Sequence, residues 1–270
     1  MRKHNWIALL GGLVSLAALG LAACQTDGTV STVAALPPGV ECGGPSATSR
    51  AVQSADPSIK FPTEPTEFCY PDRSRVVLYK PANATDERLP AVIVLSHCAG
   101  MERYHYDWMR TFTEDGYAVL GLDQYTARGI RNNCYPHAQI SEATALRDVV
   151  AAYAHLQTLA FIDPTRIGVV GFSYGGLLAV QAVSESPAPT LLFGERAHFA
   201  AAVAFYPPLS FGRGKASRLP WRIRAPTLVL FGIGDAESPH TPEYVKQPAA
   251  RENPIELIEY DGASHLFTIR

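Results

Sequence analysis

No basic run occurs in the 270 residues, and Lys plus Arg (23) do not exceed Asp plus Glu (25). Nucleic-acid binding needs clustered positive charge, so no nucleic-acid partner is expected. The helical zinc-binding pattern H-E-x-x-H is missing, and neither a metal nor another cofactor is expected. No Ser-x-x-Lys occurs, which argues against a penicillin-binding type of nucleophile. Internal repeats and long low-complexity tracts are also absent. Beyond residue 23 no apolar stretch reaches the length of about 20 residues that a bilayer crossing requires.

One apolar stretch stands at the N-terminus. Arg2 and Lys3 precede a run from Trp6 to Leu21 without a charged residue. A positive segment followed by a short apolar one is the pattern of a secretory signal peptide, too short for a span. The run ends in Leu21-Ala22-Ala23-Cys24, which resembles the lipobox of bacterial lipoproteins. Cleavage before Cys24 and lipidation of its thiol are the expectation. That places the mature chain on the periplasmic or cell-surface face of a membrane, with the outer membrane favoured. Without Arg2 and Lys3 the balance is 21 basic against 25 acidic.

The chain then divides into residues 1–23 as signal, 24–65 as tether or extension, and 66–270 as one domain. Residues 25–60 are rich in Thr, Ser, Ala, Gly and Pro, the composition of a tether. Once Cys24 is set aside, Cys42, Cys69, Cys98 and Cys134 remain. An even number in an exported chain points to disulfides. Three connectivities are possible; Cys42–Cys69 with Cys98–Cys134 is expected, the second pair joining two loops at the rim of the site.

From residue 74 short apolar runs alternate with helical patterns. Strands are expected at Val76–Tyr79, Ala91–Leu95, Tyr117–Leu122, Arg166–Gly171, Phe199–Phe205, Thr227–Phe231 and Ile255–Tyr260. Runs such as AVIVL read as strands buried on both faces. Glu142–Leu159 carries Ala145, Val149, Ala152 and Leu156 at helical spacing. Trp108–Thr113 fits a helix end and Gly176–Val183 a helix, while Asp163-Pro164 is read as the break after the long helix. This alternation predicts an α/β fold with a mostly parallel central sheet and helices on both faces. The segments 123–141 and 206–222 read as loops and leave no room for a large lid.

Gly171-Phe172-Ser173-Tyr174-Gly175 joins RIGVVG to GLLAVQAV. A strand that turns at once into a helix lifts one side chain above the sheet edge, and the turn is tight enough to need small residues two before and two after. The pattern G-x-S-x-G is weak alone and specific in this strand–turn–helix setting, an α/β-hydrolase nucleophile elbow. Ser173 is the expected nucleophile. The N–H of Tyr174, at the helix start, is the expected first oxyanion donor.

A serine hydroxyl needs a base, and the base an orienting carboxylate, in the order Ser, acid, His. Asp235 follows the strand TLVLF and the turn GIG; His265 follows the last strand and the turn DGAS. These are the expected acid and base. Glu237 lies too far past its strand and Asp261 too close to the His. The earlier His97 is out of order for the base. The second oxyanion donor is expected in Ser96-His97-Cys98-Ala99-Gly100, from the backbone N–H of Cys98, with Ala99 as the alternative. Arg128 or Arg131 is a candidate for an acidic substrate group, or a structural loop arginine.

With these residues placed, the stretch DPTRIGVVGFSYGG (163–176), with LDQYTARGIRNNC (122–134), PTLVLFGIGD (226–235) and DGASHLF (261–267), resembles the dienelactone hydrolase family. The resemblance covers about residues 74–267. It implies an α/β-hydrolase fold without a large lid and hydrolysis of small-molecule esters or lactones. Ser173 stands where named dienelactone hydrolases carry Cys, which favours general esters. SHCAG stands where relatives often show HGCGG, so His97 replaces a Gly. Only five residues follow His265, where relatives add a final helix, and either a less braced His loop or a truncated chain is expected. The expected reaction is two-step acyl transfer through Ser173. The rivals are a serine peptidase or acyl-peptide hydrolase on the same fold, and a lipid-anchored binding protein that has lost catalysis.

Overall fold

The apolar β-branched runs assemble into one sheet. The computed structural model describes residues 40–41, 66–69, 75–82, 84, 88–185, 198–209, 222–246 and 254–269. The signal segment, Cys24 and Cys42 lie outside the described residues, and with them the Cys24 lipidation site and the Cys42–Cys69 pairing.

Six strands run parallel: β4 (Leu89–Leu95), β5 (Ala118–Asp123), β6 (Ile162–Phe172), β7 (Ala201–Phe205), β8 (Thr227–Gly232) and β9 (Ile255–Tyr260). β3 (Arg75–Tyr79) pairs antiparallel to β5. β2 (Thr66–Cys69) and β1 (Val40–Glu41) extend that edge, also antiparallel. The order is β1-β2-β3-β5-β4-β6-β7-β8-β9. Val40–Glu41, within the stretch read as a tether, thus adds a short edge strand to the sheet.

Alternation along β4 divides the core. Ala91, Ile93 and Leu95 face α2 (Glu142–Thr158) and α3 (Tyr174–Ala182), and Val92 and Val94 face α1 (Arg103–Glu114). Both sides are covered, so the strands are apolar throughout. Ile93, Leu95 and Leu120 are fully buried, each contributing about 2 kcal/mol of burial. α2 begins at Ser141, whose Oγ accepts the Thr144 N–H at 3.1 Å. Its inner stripe is Ala145, Val149, Ala152 and Leu156, all fully buried.

Two elements begin four or five residues before their expected starts. α1 starts at Arg103, five residues before Trp108. Its start carries no Ser, Thr, Asp or Asn; Glu102 and His105 cap it reciprocally instead, and Tyr104 and Tyr106 bury the added turn. β6 starts at Ile162, so Asp163-Pro164 lies within a strand. The β4–β6 register shifts between Leu89 and Ala91, and a proline is tolerated at such an irregularity. A short helix, α4 (Thr241–Lys246), follows β8.

From β4 the chain passes to β5 on one side, and β6 then pairs on the other. The crevice beyond the carboxyl ends of β4 and β6 is the point where the winding reverses, the usual ligand position in open α/β sheets. Residues 124–141 beside it contain one short helical turn, Thr126–Arg128.

Candidate active site

Ser173 leads from β6 into α3 with φ 51° and ψ −115°. A left-handed φ is uncommon for a residue with a β-carbon and marks a functional site when packing holds it. Packing does hold it: a β-carbon on Gly171 would lie 2.0 Å from the Gly175 carbonyl oxygen, and one on Gly175 would lie 2.4 Å from the Ser96 carbonyl oxygen. Glycine is the residue that lets the turn close on itself and on the β4 loop. The Ser173 N–H donates to the Phe205 carbonyl at 2.9 Å, anchoring the elbow to β7.

Ser173 Oγ lies 2.9 Å from His265 Nε2, and His265 Nδ1 lies 2.7 Å from Asp235 Oδ2. The Asp235 carboxylate accepts, so Nδ1 carries the proton and the Nε2 lone pair meets the serine hydroxyl. Ser173 and Asp235 are buried, at 8% and 3% exposure. The other Asp235 oxygen accepts the N–H groups of Glu237 (2.9 Å) and Ser238 (3.1 Å). The acid and histidine loops are also joined, the Gly234 N–H donating to the Ala263 carbonyl at 2.9 Å. A β-carbon on Gly232 would lie 2.6 Å from that same oxygen.

Glu237 and Asp261 stand outside this relay. Glu237 is largely exposed, with Oε2 3.6 Å from His265 Nε2 rather than on the Nδ1 side.

The oxyanion candidates separate on their partners. The Ala99 N–H donates to His97 Nδ1 at 2.8 Å, and the Gly100 N–H donates to the His97 carbonyl at 3.1 Å. Among the described residues, the N–H groups of Cys98 and Tyr174 have no protein acceptor. Cys98 is disulfide-bonded to Cys134, and its carbonyl accepts the Asn133 N–H at 2.8 Å. The loop after β4 is thereby tied to the loop after β5.

Three features escape sequence reasoning. The first is the network beneath the β4 loop, where His97 Nε2 lies 3.2 Å from Glu102 Oε1. His105 is buried in α1, and burial, then the nearby His97, hold its pKa well below the usual histidine value. The second is Tyr206, at φ 40°. Its ring lies 5.0 Å from His265, and its hydroxyl is 2.6 Å from Thr268 Oγ1. With Phe267 packed on Tyr206 and Tyr260, the histidine loop is braced, contrary to the expectation drawn from the few residues after His265. Ser173, Tyr206 and Leu266 are the non-glycine residues with left-handed φ among the described residues, and all lie at this site. The third is Arg128, whose guanidinium pairs with buried Asp148 at 2.7 and 2.9 Å and also donates to the Gln124 carbonyl. It is committed to the scaffold and does not serve as a substrate arginine. Arg131 is exposed.

The sheet order and the serine turn at its reversal define an α/β-hydrolase. Within that class the chain belongs to the dienelactone hydrolase family, which its residues 75–270 match; it is a hydrolase. A Synechocystis sp. protein named as a carboxymethylenebutenolidase is 25% identical over 194 residues, covering 66% of this chain and 75% of that protein. A Bradyrhizobium sp. protein named as a 2-oxo-3-(5-oxofuran-2-ylidene)propanoate lactonase is 27% identical over 194 residues, 67% and 74% of the two chains. Among solved structures, one from Klebsiella pneumoniae named as a dienelactone hydrolase superposes with a TM-score of 0.57 at 24% identity, covering 72% of this chain and 82% of that one. Esterase 2 of Thermogutta terrifontis gives 0.52 at 20% identity, covering 72% and 79%. These two share the fold.

Proposed function

We propose that this protein cleaves carboxylic esters or lactones through an acyl-enzyme on Ser173. The observation that carries the reading is the continuous relay from Asp235 through His265 to Ser173, at 2.7 and 2.9 Å. His265 takes the hydroxyl proton as Oγ attacks the carbonyl carbon. Asp235 fixes the tautomer and stabilises the imidazolium. The unpartnered N–H groups of Tyr174 and Cys98 receive the oxyanion, each worth about 3 kcal/mol of transition-state stabilisation. His265 then protonates the leaving oxygen, and water, activated by the same ring, releases the acid.

The names of the curated relatives, a carboxymethylenebutenolidase and a lactonase, support a small ester or lactone as substrate. The N-terminal Arg2-Lys3, the apolar run and Cys24 support a lipid-anchored domain outside the cytoplasm.

A fluorophosphonate probe tests the reading. The mature protein takes up one label, Ser173→Ala takes none, and Asp235→Asn labels and hydrolyses short acyl esters about 10³–10⁴-fold more slowly. A wild type that neither labels nor hydrolyses points to a binding protein on a hydrolase scaffold.

A further inference from the structure

Resting on that reading, we propose that His97 is a positioning residue that selects the Cys98 N–H as the second oxyanion donor. The loop after β4 offers three successive amides, those of Cys98, Ala99 and Gly100. His97 occupies two of them: its ring Nδ1 accepts from Ala99 at 2.8 Å and its carbonyl accepts from Gly100 at 3.1 Å. The Cys98 amide is the one left without an acceptor among the described residues.

The ring is held for this task. Because Nδ1 accepts, its proton sits on Nε2, where Glu102 Oε1 receives it at 3.2 Å. Glu102 is itself fixed as the reciprocal cap of α1, its side chain accepting the His105 N–H while the His105 ring accepts from the Glu102 N–H at 2.9 Å. His105 stays neutral because it is buried, so it remains an acceptor. Tyr104 and His105 confine the His97 ring at 6.0 and 5.3 Å between centroids. The start of α1 therefore sets the His97 rotamer, and the His97 rotamer sets which loop amide stays available. Glycine in place of His97 would supply the carbonyl but no ring acceptor. The Ala99 amide would then compete with Cys98, and the loop would populate both arrangements.

The contact from Nδ1 to the amide two residues on is one that an asparagine oxygen also makes in an Asx turn. This separates the proposed role from simple filling of space. The experiment compares wild type, Ser173→Ala, His97→Asn, His97→Leu and His97→Ala on a neutral short-chain nitrophenyl ester, reading kcat and KM separately, with thermal unfolding alongside. Expected are a kcat within about threefold of wild type for His97→Asn, and a kcat about 10²-fold lower for His97→Leu and His97→Ala with KM within about threefold, the scale of one lost oxyanion donor. If His97→Leu does not fold, His97→Ala carries the comparison. Equal kcat losses in the Asn and Ala variants overturn the inference, as does a loss confined to KM. A wild type without Ser173-dependent turnover overturns the reading of the site, and this inference with it.

Discussion

The Gly175 carbonyl oxygen stands 2.0 Å from the place a β-carbon on Gly171 would occupy. No relaxation of a flexible side chain relieves that contact, because backbone meets backbone. Gly171→Ala is therefore expected to open the elbow. It abolishes fluorophosphonate labelling and lowers thermal stability by several kcal/mol, as overpacked backbone contacts do. Gly168, three residues earlier in β6, is the control: its added β-carbon would meet the Ala201 carbonyl at an ordinary 3.6 Å. Gly168→Ala should change stability by less than about 1 kcal/mol and leave labelling intact.

The Cys98–Cys134 bridge closes a loop of 36 residues in sequence separation. Chain-entropy arguments put its contribution at about 3–4 kcal/mol. Reduction, or Cys134→Ser, should lower the urea midpoint accordingly. It should also lower kcat, because Cys98 carries a proposed oxyanion donor and its carbonyl shares the same loop–loop latch through Asn133. Cys134→Ser with unchanged kcat would show that the Asn133 contact alone suffices to hold the loop.

Arg128 and Asp148 form a nearly dry bidentate pair. Removing one partner strands the other charge. Arg128→Met should cost about 3–5 kcal/mol in urea unfolding, and adding Asp148→Leu should recover most of it. The KM for neutral esters should not respond to the double change.

Alkaline pH should unfold the protein through its tyrosines. Burial pushes the Tyr206 hydroxyl up to about 12, partly offset by its hydrogen bond to Thr268. Burial also raises Tyr104, Tyr125 and Tyr174. In the unfolded chain these phenols ionise near 10, so above that pH the unfolded state holds fewer protons and gains. Stability present below pH 10 is lost as pH rises toward 12, by about 2–3 kcal/mol from Tyr206 alone. The absorbance of these four buried phenolates should appear with unfolding rather than before it. A titration complete in the folded protein near pH 10 would contradict this.

The Cys24 anchor is testable in a bacterial host. Palmitate labelling and membrane fractionation of the full chain should both be lost in Cys24→Ser. Label retained in that variant would place the lipid at another residue.

Much of this was legible in residue order. Periodicity placed the parallel strands and α2 because each is uniform in character: β-branched and apolar, or spaced by three and four. The serine, acid and histidine followed from chain order and from their positions just past strand ends. What stayed hidden depends on tertiary contacts. α1 was shortened in prospect because Glu102 and His105 cap it with side chains that carry no start signal. β6 reached back across Pro164 because Leu89 pairs with Ile162. Tyr206 reads as the first residue of the loop 206–222; only the folded chain shows its ring against His265. His97 was out of order for the base, and nothing in sequence spacing says that it governs its own loop.

Gly234 and Ala263 share a hydrogen bond, and Gly232 packs on Ala263 without room for a side chain. The acid and the base therefore sit on one rigid piece, built on β8 and β9. Ser173 and the two proposed oxyanion donors sit on another, built on β4 and β6. Between them lies only β7, bonded to Ser173 through Phe205 and to β8 through the Tyr206 N–H and the Leu230 carbonyl. The strand contributes no reacting atom. It acts as the gauge block between two prefabricated halves, and its width sets the gap between Ser173 and His265.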